Sequence, residues 1–342
     1  MVKLNNPNKD PYLTYWLYSS LLVVILLITV GGLTRLTTSG LSITNWELFK
    51  GILPPLNAEQ WQNYFSLYKK IPQYQKLNAG MLLNEFKYIF WWEYIHRILA
   101  RLSFFVFAIP FIVFLFKNKL TASEKLFCSL IAILFLSQGA AGWYMVKSGL
   151  NSNVLVSHFR LSIHLLLSEF IISLIFFTAL LVKREKIKLN KYSYLILIFL
   201  IIVFIQIGVG AFVSGLNAGL IYQTWPLMNG DYIPKDIYII KYFKDLKVYS
   251  IPEYVQFLHR NIAYLIFLFF LTIFYLTKNF SKIRSFVKYV FGVLLLQIIL
   301  GICTLLSGIN IYLAIFHQIG SVLLILSIVL LFYKISTLSI KD

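Results

Sequence analysis

Five histidines occur in this chain of 342 residues. Four of them, His96, His164, His259 and His317, fall inside long apolar stretches, each within about two helical turns of the same end of its stretch. Two stand in matching pentapeptides, Glu93-Tyr94-Ile95-His96-Arg97 and Gln256-Phe257-Leu258-His259-Arg260, and two close Arg160-Leu161-Ser162-Ile163-His164 and Leu313-Ala314-Ile315-Phe316-His317. Ionisable groups are costly in apolar segments and face a bundle interior where a partner or a function compensates. One such histidine could be satisfied by an interhelical hydrogen bond; four at one depth in matched positions ask for a common cause. Paired imidazoles on facing helices clamp a planar metallo-macrocycle from both faces. Zinc competes as a ligand, but a tetrahedral site wants three or four donors close together. Two imidazoles per pair and no thiolates argue for haem. Cys128 and Cys303 both fall inside apolar stretches without the neighbours of a metal thiolate, and they read as small core hydrophobes. His158, six residues before His164 and without a repeat counterpart, reads as structural.

The two pairs differ in one position. Three residues before the histidine stands Glu93 in the first pentapeptide and Gln256 in the second, and that spacing places each group on the same helix face as its histidine. A carboxylate can stabilise a developing cation or take a proton, whereas a carboxamide does neither well. The first site therefore reads as the reactive one and the second as a permanent cofactor site; the alternative is that Glu93 merely orients His96 or sits in interfacial water, since structural ion pairs also place carboxylates near such sites. Arg97 and Arg260, with Arg101 and Arg160 nearby, lie where macrocycle propionates would emerge, and forked pairing to a carboxylate competes with snorkelling to lipid phosphate. Arg35 has the same two readings.

The elements that must carry these groups are membrane spans. With 59% hydrophobic residues the chain lies outside soluble composition. Eight stretches are long enough to cross hydrocarbon, near 14–34, 94–116, 124–146, 158–182, 192–214, 254–276, 286–308 and 312–334. The charge of +18 is a topology signal and does not indicate nucleic acid. Lys3 and Lys9, then Lys117, Lys119 and Lys125, then Lys183, Arg184, Lys186, Lys188 and Lys191, then Lys278, Lys282, Arg284 and Lys288, and finally Lys334 and Lys341 occupy alternate connections. Both termini are expected in the cytoplasm and the histidines toward the outer face. Met1 to Asp10 resembles neither a cleavable signal nor a transit peptide, which favours a bacterial cytoplasmic membrane. The outer loop 35–92, with Trp46, Trp61, Tyr64, Phe65 and Tyr68, is expected to lie as amphipathic helices over the histidines, with interfacial anchoring by its aromatics as the alternative. Gln138-Gly139-Ala140-Ala141-Gly142, Gln206-Ile207-Gly208-Val209-Gly210 and Gln297-Ile298-Ile299-Leu300-Gly301 echo one another. The expected fold is all-α and integral to the membrane: two tandem pseudo-symmetric four-helix bundles, 1–187 and 188–342.

At this point a family resemblance is carried by GGLTRLTTSGLSITNW (31–46), PPL (54–56), FKYIFWWEYIHR (86–97), HFRLSIHL (158–165), QIGVGAFVSGLNAG (206–219), TWPLMNG (224–230), VQFLHR (255–260) and IFHQIG (315–320). Together they closely resemble haem A synthases of the alphaproteobacterial and mitochondrial branch, over nearly the whole chain. The other branch carries a cysteine pair in the first outer loop, which this chain lacks. The resemblance implies oxidation of the C8 methyl of haem O to a formyl group, with haem b as resident cofactor. By motif position it implies that His96 and His164 hold the substrate iron, that Glu93 is the catalytic carboxylate, and that His259 and His317 ligate haem b, with Arg97 and Arg260 beside the macrocycles. The expected partners are haem O, membrane lipid, haem O synthase, cytochrome oxidase assembly factors and an electron donor that the sequence does not identify; a homo-oligomer is compatible and nucleic acid is not expected. A di-haem b-type membrane electron-transfer protein is the alternative, and a haem-handling chaperone a third reading.

Overall fold

The computed structural model describes residues 11–45, 50–151, 154–182, 185–238 and 245–337. Met1 to Asp10, Trp46, Lys183, Arg184 and Lys341, which entered the sequence reading, lie outside the described residues. The described residues are helical with no strand, and they contain eight helices long and apolar enough to span a membrane. These are α1 (Pro11–Leu36), α4 (Leu83–Phe116), α5 (Ala122–Asn151), α6 (His158–Leu181), α7 (Lys191–Gly215), α9 (Pro252–Leu276), α10 (Ser281–Leu306) and α11 (Ile311–Thr337). Between α1 and α4 lie the short helices α2 (Ala58–Tyr68) and α3 (Pro72–Leu77), and between α7 and α9 lies α8 (Lys235–Tyr238).

Local chemistry fixes several of the ends. Asn190 caps α7 by accepting from the amides of Tyr192 and Ser193, both at 3.0 Å, and α9 opens on Pro252, whose missing N–H costs nothing in a first turn. Glu85 reaches back to the Leu82 amide at 2.8 Å and anchors the start of α4.

That start is where sequence and structure differ most. The second span was expected from residue 94, yet α4 runs unbroken from Leu83. Residues 83–93 contain neither glycine nor proline, so nothing stops the helix before it leaves the apolar layer. Its extra turns are held by burial: Phe86, Ile89 and Phe90 pack with Trp61, Phe65 and Tyr68 of α2. Each such buried side chain contributes on the order of 1.5–3 kcal/mol. The connection between α1 and α4 is thus a packed cap on the start of α4, as its aromatic content suggested.

Helix α1 packs on α4 and α6, and α5 on α4 and α6; likewise α7 packs on α9 and α11, and α10 on α9 and α11. α1, α6, α7 and α11 meet across the middle. Small and polar groups close that seam. Ser162 Oγ donates to the Gly208 carbonyl at 2.9 Å, Gln318 Nε2 donates to the Ile28 carbonyl at 3.1 Å beside Gly32, and Gly215 abuts His158. Arg35 Nη2 donates to Asn217 Oδ1 at 3.2 Å and to the Ser214 carbonyl, so this guanidinium ties the end of α1 to the end of α7.

Candidate functional site

The four histidines sit on α4, α6, α9 and α11, and each ring lies against a glycine of a neighbouring helix. A Cβ added at Gly31 of α1, Gly142 of α5 or Gly210 of α7 would stand 3.0 Å from Cε1 of His96, His164 or His259, and at Gly301 of α10 it would stand 2.9 Å from that of His317. Any larger residue would displace the ring. The glycines are therefore seats for imidazoles, used four times over.

Four residues before each seat, one helical turn away, stand Leu27, Gln138, Gln206 and Gln297. The three glutamines all donate Nε2 to the backbone carbonyl of the histidine they face: Gln138 to His164 at 3.0 Å, Gln206 to His259 at 2.9 Å and Gln297 to His317 at 2.9 Å. Leu27 has no such donor. The imidazoles of His96, His259 and His317 also hydrogen-bond to the backbone of Leu27, Gln206 and Gln297.

Electrostatically, His96 responds to His164 and His259 responds to His317. In all four rings Nδ1 is buried without a hydrogen-bond partner. A buried ring with one nitrogen open, and in three of the four a backbone bond to hold it, has the character of a metal ligand, whose second nitrogen is ordinarily fixed by a backbone or carboxylate partner. Among the described residues no three His, Cys, Asp or Glu side chains converge to hold a bare ion. The donor set is therefore imidazoles taken in twos, which fits the two axial positions of a haem iron.

Glu93 is 3% exposed and fully engaged. Its Oε2 accepts from Ser42 Oγ at 2.7 Å and from the Ile43 amide at 2.8 Å. Its Oε1 accepts from Arg97 Nη2 at 2.6 Å and Nε at 3.1 Å. Arg97 Nη2 also donates to the Ile43 carbonyl at 2.9 Å. Glu93 and Arg97, expected to face a macrocycle, are thus joined to each other as an i,i+4 pair and together grip the chain just after α1. In the second half the same positions do the same work with other chemistry. Gln256 Nε2 donates to the Tyr222 carbonyl at 2.8 Å, and Arg260 donates to the carbonyls of Thr224 at 3.0 Å and Pro226 at 3.2 Å. Gln256 Oε1 is left buried and unpartnered. Of the other arginines, Arg101 Nη1 donates to the Arg97 carbonyl at 3.2 Å, while Arg160 donates to Tyr144 Oη at 3.1 Å and lies over that ring.

Several polar residues at this end had no role assigned from the sequence. Ser42, inside the run at 31–46, is one. Tyr68 donates to Gln73 Oε1 at 3.1 Å and accepts from Asn78 Nδ2 at 2.7 Å, and Gln73 Nε2 donates to the Thr38 carbonyl at 3.2 Å, which links the cap to the chain after α1. Burial holds the Tyr68 phenol above its ordinary range, with Asn78 pulling the other way and the Glu93 charge pushing up. Across the second loop Tyr222 donates to Asp236 Oδ2 at 2.6 Å, and burial together with that carboxylate raises its phenol likewise.

Glu169 was also missed. It lies five residues beyond His164 on α6, with no accessible surface and both oxygens without a partner. A buried polar group left unsatisfied costs about 1–3 kcal/mol. Glu169→Leu, close in volume, is expected to raise the melting midpoint in detergent and leave haem content unchanged; a lowered midpoint or lost haem would mean that the carboxyl serves a ligand.

The COX15-CtaA family model, described as cytochrome oxidase assembly protein, matches residues 14–329. Among similar proteins, "Heme A synthase" of Pelagibacter ubique (strain HTCC1062) is 46% identical over 339 residues, covering 97% of this chain and 98% of that protein. "Heme A synthase" of Wolbachia pipientis subsp. Culex pipiens (strain wPip) is 42% identical, covering 90% of this chain and 93% of the relative. That of Rickettsia africae (strain ESF-5) is 39% identical, covering 95% and 98%.

Proposed function

Because this chain belongs to the COX15-CtaA family of cytochrome oxidase assembly proteins, we propose that it is an enzyme of haem A biosynthesis that takes haem O as substrate. The observation that carries this reading is the likeness, over nearly the full length of both chains, to relatives named heme A synthase. The finer reading is an oxidoreductase that hydroxylates the C8 methyl of haem O twice, each step a two-electron oxidation that consumes an oxidant from outside the chain, the resulting geminal diol losing water to leave the formyl group.

The halves 1–187 and 188–342 then divide the work. His96 and His164 hold the substrate iron; His259 and His317 hold a resident haem b. Support comes from the free, buried Nδ1 of each ring and from the pairwise proximity of the histidines. When bound, haem b supplies a one-electron carrier beside the substrate. Glu93 stabilises positive charge developing at the methyl carbon. Charge stabilisation suits it better than proton transfer, because both of its oxygens are already occupied by donors. Arg97, Ser42 and the Ile43 amide position that carboxylate and hold the outer segment closed over the site. Gln256 and Arg260 close the second site without supplying a carboxylate, as a cofactor that is not consumed requires.

The protein is a multi-pass membrane protein by its eight apolar helices. We place it in a bacterial cytoplasmic membrane; the basic alternate connections support both termini inside and the histidines toward the outer face. Haem O synthase, oxidase assembly factors and an electron donor are the partners such a reaction calls for. The test is a host that makes haem O but no haem A, with and without this chain. Extracted pigment should gain a species with one more oxygen and two fewer hydrogens than haem O. Unaltered haem O beside a haem-loaded protein would favour electron transfer without macrocycle chemistry.

A further inference from the structure

The seats of the four histidines are alike except at one position, and that exception bears on which haem can leave. Three histidines are belted from the helix that seats them: Gln138, Gln206 and Gln297 each donate to the histidine's own backbone carbonyl, at 3.0, 2.9 and 2.9 Å. In two of them the same Nε2 also lies near the ring, 3.4 Å from His164 Nε2 and 3.5 Å from His259 Nε2. The belt crosses from one helix to the next at the residue that would carry the iron, so it resists both separation of the helices and rotation of the ring. At the fourth seat α1 presents Leu27, whose side chain can donate nothing, so the His96 backbone carbonyl has no such belt, although the His96 ring keeps a hydrogen bond to the Leu27 backbone.

We propose that Leu27 makes His96 the releasable ligand, so that the first pair exchanges its haem while the doubly belted second pair, Gln206 on His259 and Gln297 on His317, retains its own. This rests on the reading above, in which the first pair holds the haem that is consumed. A substrate haem must enter and a product haem must depart at every turnover, so one ligand of that pair has to yield. One net hydrogen bond holding the residue that carries the ligand is worth roughly two- to tenfold in an equilibrium constant. The missing belt at His96 is thus large enough to separate an exchangeable site from a resident one. Leu27 and the glutamines act through the histidines and are positioning residues.

The experiment is haem transfer from the purified, haem-loaded full chain in detergent to apomyoglobin, followed by absorbance. Wild type should release haem in a fast and a slow phase, with His96→Ala removing the fast phase and His259→Ala the slow one. Leu27→Gln should slow the fast phase about tenfold, and Gln206→Leu should speed the slow phase by a similar factor, one net hydrogen bond being worth about that much in a rate. Should a polar side chain on α1 prevent folding, Gln206→Leu alone carries the test. If the phases are assigned as stated but neither variant changes its rate, the belt is not what sets release, and this proposal fails while the assignment of the pairs stands. If His259→Ala removes the fast phase instead, the assignment itself fails.

Discussion

Glu93→Gln is expected to abolish most haem A formation while the protein folds and keeps its resident haem. The substitution preserves shape, and it makes the first half copy the second, where Gln256 stands naturally. A carboxamide oxygen can still accept from Ser42 and Ile43, but its NH2 group would face the Arg97 guanidinium donor to donor. The negative charge is lost from the site, and with it the Arg97 pairing that supports the grip on the segment after α1. Removing one group that stabilises a transition state typically costs 10²–10³ in rate, about 2.7–4 kcal/mol. The measurement is haem A produced per unit of haem-loaded enzyme. An undiminished rate would remove Glu93 from the chemistry and leave it the role of a loop anchor, shared with Gln256. Arg97→Gln separates the two roles: it loosens the loop but spares the carboxylate, so it should cost less than Glu93→Gln.

His259→Ala should cost the resident haem outright. The ring is seated on Gly210, its backbone carbonyl is belted by Gln206, and its Nδ1 is buried and open. On the reading proposed above, deleting it would remove a ligand of the resident haem, a loss that must exceed the 10–100-fold that losing a mere supporting partner costs. The reduced b-type spectrum of the purified variant should fall to background while the first pair still binds added haem. A normal reduced spectrum would reverse the assignment of the two pairs.

The eight spans were readable because an apolar run of membrane length leaves little choice to a chain whose backbone must satisfy itself in lipid. The common depth of the histidines is an expectation of the same kind, since counting residues from the span ends estimates height. Height is not azimuth. That each imidazole rests on a glycine of one particular neighbour depends on which helices pack, and the runs around Gln138, Gln206 and Gln297 showed their likeness without showing what they faced. The four-residue step from glutamine to glycine was present in the sequence, but its purpose needed the partner helix. Leu27 was invisible, because a leucine in a span carries no signal until three glutamines stand in the equivalent places. The Glu93 and Arg97 spacing was itself an i,i+4 pair. What the spacing did not name were the further partners, Ser42 and the Ile43 amide, which lie far from Glu93 in sequence. The early start of α4 was missed because its first turns lie beyond the apolar layer and are held by the aromatics of α2, a tertiary cause that hydropathy along the chain does not record.

The central claim is that these imidazoles hold two haems of different fate, and the most direct measurement is the haem retained by the purified wild-type protein from a haem O-making host. Pigments extracted before and after extended washing with a haem acceptor would be weighed by mass and set against protein. The account predicts one haem b per chain that survives the washing, and a smaller, removable fraction made of haem O and its oxidised products. A protein free of iron, or one retaining two unmodified and equally resistant haems per chain, would contradict it.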